Sequence, residues 1–169
     1  MTRASPRSRS PEHVSDERYR QSPLPMASAH PDPPVTPATL RTMRANRSRD
    51  TSPELALRRL LHASGLRFRV DMPLPIDRRR RADLVFTKVG LYVFVDGCFW
   101  HGCPVHFVRP KTRTDFWMSK IEGNQGRDND TNRRLRELGH TVIRVWEHED
   151  PVDAAELIAR MYRALRDKR

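Results

Sequence analysis

The sequence predicts an α/β domain with a small mixed sheet, preceded by a proline-rich tail. Three observations predict it. Apolar patterning alternates between helix-like and strand-like segments in the order helix, three strands, helix, strand, helix. The stretches "VGLYVFVDG" and "TVIRVWE" are near-continuous apolar runs of strand length, as in strands covered on both faces. Residues 1–38 hold eight of the fourteen prolines, no glycine and one aromatic, Tyr19. That is too little apolar surface to offset the entropy of ordering, so 1–38 reads as a disordered, solvated tail and 39–169 as the domain.

From Thr39 the pattern becomes globular. In "TSPELALRRLLHASG", Thr51 or Ser52 is the N-cap, Pro53 sits in the first turn and Gly65 stops the helix. Leu55, Leu57, Leu60 and Leu61 form its apolar stripe. "RFRVD" alternates like a strand, and "RRRRADLVFT" becomes one at Ala82–Thr87. A Lys-Val-Gly turn leads from there into "VGLYVFVDG". "RTDFWMSKIEGNQGRDNDTNRRLRELGH" reads as helical, interrupted near Gly123–Gly126 and ended by Gly139. After the strand "TVIRVWE", "PVDAAELIARMYRALRDKR" is a final amphipathic helix. No internal repeat is visible.

The formal charge is +11, and the tail carries only five basic against four acidic residues. The excess therefore belongs to the domain, and with a pI near 10.9 it points to a polyanionic partner, nucleic acid foremost and an anionic membrane surface as the rival. There is no run of 18 apolar residues to span a membrane, and "MTRASPRSRS" has no apolar core of a secretory signal. The expectation is a monomer in a reducing cytosol, where two closely spaced cysteines suit a metal better than a disulfide.

Chemistry-bearing residues crowd into "VDGCFWHGCPVH", Val95–His106. Cys98 and Cys103 have four residues between them, and His106 follows after two more. Zinc takes four such ligands in a tetrahedron. His148, just past the strand "TVIRVWE", is the candidate fourth, and a closed Cys2His2 set would be structural because it leaves no position for water. The alternative is a pair of ordinary buried thiols. Asp83 opens the apolar stretch "ADLVF" and Asp96 ends the next strand, so a hairpin would bring the two together, with Glu54 joining from the first helix. Carboxylates suit magnesium, although each taken singly is better explained by a structural role such as a salt bridge, and the case rests on their convergence. His101 is spare in the zinc count and available as a general base on water. Phe99 and Trp100 cannot both face one core from a strand; held out by a metal-bound loop they would make a wedge for a DNA base step. Phe116 and Trp117 form a second pair, of which Phe116 reads as helix packing. "RRRR" at Arg78–Arg81 and "KTR" at Lys111–Arg113 suit phosphate contacts or a solvated face.

With these residues in view, "ADLVF", "VFVDGCFWHGCPVH", "TDFWMSKI" and "VIRVWEHE", in this order, resemble the very-short-patch repair (Vsr) DNA mismatch endonucleases. The resemblance runs from about Arg41 to Glu149 and includes "RTMRANRSRDTSPE". It implies a restriction-endonuclease-like fold of the PD-(D/E)xK type, a mixed sheet flanked by helices with a structural zinc site. It implies a bacterial, nucleoid-associated enzyme that nicks double-stranded DNA 5′ to the T of a T·G mismatch left by 5-methylcytosine deamination, using Mg2+, before a DNA polymerase replaces the patch. Mismatch-repair proteins are further partners it implies. Carried over by motif, Asp83 would be the magnesium carboxylate with the Val95 carbonyl as second ligand. His101 would activate water, Glu54 would assist, and Phe99, Trp100 and Trp117 would form the wedge. Cys98, Cys103, His106 and His148 would hold Zn2+. Asp96 stands where the best-studied type has a histidine, so it is expected either as a direct magnesium ligand or as a partner of His101. His106 and His148 replace cysteines of that type, and Cys103 a histidine. A nuclease of the same fold with another DNA target, and a zinc-stabilised DNA-binding module without catalysis, are the alternative readings.

Overall fold

The computed structural model describes residues 49–168; the proline-rich stretch and the start of the domain fall outside the described residues. Seven elements follow in chain order: α1 (Ser52–Ala63), β1 (Arg69–Leu74), β2 (Asp77–Phe86), β3 (Leu91–Asp96), α2 (Thr114–Glu137), β4 (Thr141–Trp146) and α3 (Pro151–Asp167). The order is the one expected from sequence. The four strands form one sheet in the order β1-β2-β3-β4. β1–β2 and β2–β3 are antiparallel, whereas β3–β4 is parallel. A parallel neighbour needs a crossover, and α2 supplies it.

The sheet is covered on both faces, which explains its apolar strands. On one face Leu84, Phe86, Leu91, Val93, Ile143 and Val145 pack with Leu57 and Leu61 of α1 and with Ala154, Ala155, Ile158 and Ala159 of α3. On the other, Val85, Tyr92 and Phe94 pack with Leu135 of α2. Because strand side chains alternate, Asp96 follows Phe94 onto the α2 face. Arg144, in register with Phe94, stacks over the Phe94 ring at 4.6 Å. This face is where the polar residues gather.

Two expectations need correction. The α2 helix is continuous across Gly123 and Gly126. A Cβ at either glycine would meet nothing within 4 Å, so each carries only the intrinsic glycine cost of about 1 kcal/mol, and burial of Ile121, Thr131 and Leu135 holds the helix through it. The second strand starts at Asp77, not Ala82, and takes in the arginine run. Pairing of Leu74 with Asp77 and Pro73 with Arg81 extends the hairpin, and the Arg80 guanidinium is tied to Asp130 at 2.7 Å and to the Thr131 hydroxyl at 2.8 Å.

Candidate active site and metal centre

An open groove of about 1110 Å³ collects Glu54, Asp83, Asp96, His101, Phe99 and Trp100 along its lining, together with Arg79–Arg81. Residues from α1, β2, β3 and the loop after β3 thus meet in one place, as the hairpin reading anticipated. Asp83 Oδ2 accepts the Val95 N–H at 2.7 Å. Burial pushes the Asp83 carboxyl up to about 6; the Val95 N–H pulls it down, while the charges of Glu54 and Asp96 add to the rise. Glu54 is buried and fully engaged: Oε1 accepts from the Thr51 hydroxyl at 3.0 Å, and Oε2 from the Asp50 N–H at 3.1 Å and from Arg58 at 2.6 Å. It stabilises the start of α1 and lends Asp83 its negative field.

The loop after β3 winds tightly. His101 N–H bonds the Gly97 carbonyl at 3.1 Å, Cys103 N–H that of Cys98 at 2.9 Å, and Phe107 N–H that of Cys103 at 3.0 Å. Helix α2 clasps it from outside: Asn124 donates to the Trp100 carbonyl at 2.8 Å and Gln125 to the His101 carbonyl at 3.1 Å. Gly102 permits this approach. Its φ is +63°, and a Cβ there would lie 2.5 Å from Gln125 Nε2, so only glycine fits without a shift.

His101 Nδ1 lies 2.5 Å from Asp128 Oδ2 and 3.8 Å from Asp96 Oδ1. Burial works against the charged imidazole, but the hydrogen bond to Asp128 and the charges of Asp96 and Asp128 outweigh it and hold His101 above its usual range. Arg144 closes the network, with Nη1 at 2.6 and 2.8 Å from the two Asp96 oxygens and Nη2 at 2.9 Å from Asp128 Oδ1. Burial raises the Asp96 carboxyl, Arg144 and His101 pull it down, and the net displacement is upward. Asp96, His101 and Asp128 form one of two groups among the described residues whose ligand atoms lie within 4.8 Å of one another. Asp128 and Arg144 were missed from sequence. Arg144 left a signal, a lone charge inside the apolar strand "TVIRVWE"; Asp128 left none, because its helix is dense in charges.

The second group is Cys98, Cys103, His106 and His148, the expected four. Cys98 Sγ is 3.1 Å and Cys103 Sγ 3.6 Å from His148 Nδ1, and Cys103 Sγ is 4.0 Å from His106 Nδ1. Ligands about 2.0–2.3 Å from one tetrahedral ion stand about 3.3–3.8 Å apart, and these three separations bracket that range. The donor chemistry fits as well. Burial, the neighbouring Cys103 and Glu147 push the Cys98 thiol up to about 12, so a cation is what would let this sulfur ionise. Glu147 Oε1 also accepts the Cys98 N–H at 2.6 Å, orienting the loop from the end of β4.

The aromatics form a cluster beside the groove. Phe99 stands edge-on to Trp100 at 5.2 Å and to Trp117 at 5.5 Å, and Trp100 lies 6.0 Å from Trp117. All three are half-buried. Phe116 departs from the packing reading: it is 41 % exposed, with Arg113 over its ring at 4.9 Å. Arg113 itself caps α2 in the left-handed region, φ 51°.

Comparison with known proteins places this architecture. The chain is 41 % identical over 127 residues to the type II nicking enzyme V.NaeI of Lentzea aerocolonigenes, covering 74 % of this chain and 76 % of that enzyme. It is 42 % identical over 109 residues to the type II nicking enzyme V.XorIIP of Xanthomonas oryzae pv. oryzae, 63 % of this chain and 77 % of the relative. It is 43 % identical over 109 residues to the DNA mismatch endonuclease Vsr of Escherichia coli K12, 63 % of this chain and 67 % of the relative. Likeness of this extent defines a DNA endonuclease, a hydrolase of phosphodiester bonds. The chain belongs to the Vsr family, whose model, described as DNA mismatch endonuclease Vsr, matches residues 35–106. The four-stranded mixed sheet with its helices is consistent with a Vsr nuclease fold. No helix among the described residues is long and apolar enough to cross a membrane.

Proposed function

We propose that this chain is a strand-specific endonuclease that nicks double-stranded DNA 5′ to the T of T·G mismatches arising from 5-methylcytosine deamination, the opening step of very-short-patch repair. One observation carries the reading: Trp100 and His101 are consecutive in a single wound loop, so the turn that presents the aromatic cluster also presents the histidine of the acidic groove. A wedge entering a base step would then fix the distance to the phosphate that is cut, and a mismatched pair costs less to unstack. The family model and the E. coli relative bear the name of mismatch endonucleases, and two relatives that of nicking enzymes.

Within the restriction-endonuclease-like site, Asp83 and the Val95 carbonyl are the residues that would hold magnesium. When bound, magnesium polarises the scissile phosphate and lowers the pKa of water. His101 gives Nδ1 to Asp128, which leaves Nε2 to take the proton of the attacking water. Asp96 is occupied by Arg144 and supports His101 by its charge, which favours the partner role over that of a metal ligand. Glu54 assists through its field on Asp83. Cys98, Cys103, His106 and His148 would hold a structural zinc, closed to solvent water, that fixes the loop. Mismatch-repair proteins and a polymerase are the partners this role requires downstream.

The test is strand-resolved nicking of duplexes carrying T·G, C·G or T·A at one position in several contexts, with and without magnesium, alongside Asp83→Asn. The expected result is a magnesium-dependent nick 5′ to the T of T·G that disappears in the variant. Equal cutting of all duplexes would remove the mismatch role. DNA bound but never cut would reduce the chain to a binding module.

A further inference from the structure

We propose that Arg144 is a positioning residue for strand cleavage: a built-in cation that ties Asp96 to Asp128 and, through Asp128, sets the His101 ring. The proposal rests on the catalytic reading of His101 given above.

Arg144 occupies the middle of β4, where its neighbours Ile143 and Val145 are buried in the core and its own side chain is only 17 % exposed. An aliphatic residue would be the inexpensive choice there. A buried ion pair contributes little over well-packed apolar side chains, because both charges lose their water. The geometry shows what the guanidinium does instead. It stacks on Phe94 at 4.6 Å, and its Nε donates to Asn132 Oδ1 at 3.1 Å. With the plane fixed on both sides, Nη1 takes both oxygens of Asp96 and Nη2 takes Asp128 Oδ1. The remaining oxygen of the pair, Asp128 Oδ2, is on His101 Nδ1. All four carboxylate oxygens therefore face a nitrogen donor.

This distribution bears on the metal-like grouping of Asp96, His101 and Asp128. The carboxylates already share one cation, and it is a side chain. A planar fork holds two carboxylates at a fixed angle, which a compact ammonium cannot do. Asp128 thereby presents a single orientation to His101, and the imidazole is set for its proton transfer before DNA arrives. β3 and β4 are joined in parallel register from Leu91↔Thr141 to Asp96↔Trp146, so the scaffold under this network is rigid.

The experiment compares the full chain with Arg144→Ala and Arg144→Lys in single-turnover nicking, with duplex affinity measured in parallel and the His101 Nδ1 resonance followed by 15N NMR. The wild type is first run on T·G, C·G and T·A duplexes, and the variants are then tested on whichever it cuts. A failure of the mismatch reading thus shows as a change of wild-type substrate and leaves the Arg144 comparison intact. Absence of any wild-type cutting overturns both. Arg144→Ala is expected to keep its duplex affinity and lose about 10- to 100-fold in rate, the usual cost of removing a group that orients a functional histidine. Millimolar guanidinium restores much of the loss, equal sodium chloride does not, and the His101 signal moves. Arg144→Lys stays well below wild type. Wild-type rates in Arg144→Ala, full activity in Arg144→Lys, an unmoved His101 signal, or no response to guanidinium each overturn the proposal. If Arg144→Ala does not fold, Arg144→Lys decides: slow nicking with a shifted signal supports it, and wild-type nicking sinks it.

Discussion

Asp83 and Val95 are joined across β2 and β3 by a side chain where the backbone ladder has ended. The β2–β3 register runs from Phe86↔Leu91 to Leu84↔Val93, and just beyond it Asp83 Oδ2 accepts the Val95 N–H at 2.7 Å. The groove opens where pairing stops, and the carboxylate both satisfies the orphaned donor and lines that groove.

An ionised Asp83 is therefore held at a cost. Its folded pKa of about 6 lies above the ordinary carboxylate value of 3.8, so the contribution to stability is full below the lower value and is lost as pH rises through the upper one. Asp83→Asn keeps an oxygen for Val95 N–H and carries no charge. It is expected to stabilise the metal-free protein by on the order of 1–3 kcal/mol above pH 6, fading towards pH 4, while abolishing nicking. Urea unfolding across this pH range measures it; an Asn variant less stable than wild type at pH 8 contradicts the burial account.

His101 is held above its usual range chiefly by Asp128 and Asp96, against the opposing effect of burial. As a base it must be neutral, so the nicking rate rises with pH through that elevated value. Asp128→Asn removes the hydrogen-bonded charge and is expected to move the acid limb to lower pH as well as lower the plateau. A limb that stays in place assigns the titration to another group.

Read as a zinc site, the cluster of Cys98, Cys103, His106 and His148 predicts about one zinc per chain in the purified protein. Stripping it with a chelator, or Cys98→Ser, is expected to cost several kcal/mol, since metal binding and folding of such a loop are one process. Elemental analysis with melting curves checks this; a metal-free chain with an unchanged melting temperature refutes it.

Trp100 is expected to act in discrimination. Trp100→Ala removes a stacking surface worth about 1–3 kcal/mol per base and lowers affinity for a mismatched duplex while leaving matched duplex binding nearly unchanged. Equal loss on both duplexes would make Trp100 a packing residue.

Gly102→Ala tests the clasp. Both the positive φ and the 2.5 Å approach to Gln125 oppose a methyl group, so a loss of about 1–3 kcal/mol is expected, together with slowed nicking from a displaced loop. Thermal melting and nicking rates should fall together; a neutral variant would show that α2 is free to yield.

Element order and most of the candidate site's grouping were legible in the sequence because each left a local mark. The apolar runs 89–97 and 141–147 announced covered strands, and the spacing of Cys98, Cys103 and His106 pointed to a group that the fold does bring together. What escaped depended on tertiary contacts. Nothing near Gly123 or Gly126 tells that Ile121, Thr131 and Leu135 bury and carry the helix through them. Asp128 gains meaning only when α2 crosses the sheet and brings it to His101, 27 positions away in sequence. Glu54 was placed in the groove correctly, but its ties to Thr51, Asp50 and Arg58 show it holding a helix end as well.

The parallel pairing of β3 with β4 also has a bearing on synthesis. Asp83, Asp96 and His101 leave the ribosome early, yet Arg144 and His148, which complete the carboxylate network and the Cys-His cluster, belong to β4 and the turn after it. Until that strand emerges and docks, Asp96 and Asp128 lack their Arg144 partner, and Cys98 and Cys103 lack His148 beside them. In a nuclease assembled in this order, the groove residues come together only after β4 has been made.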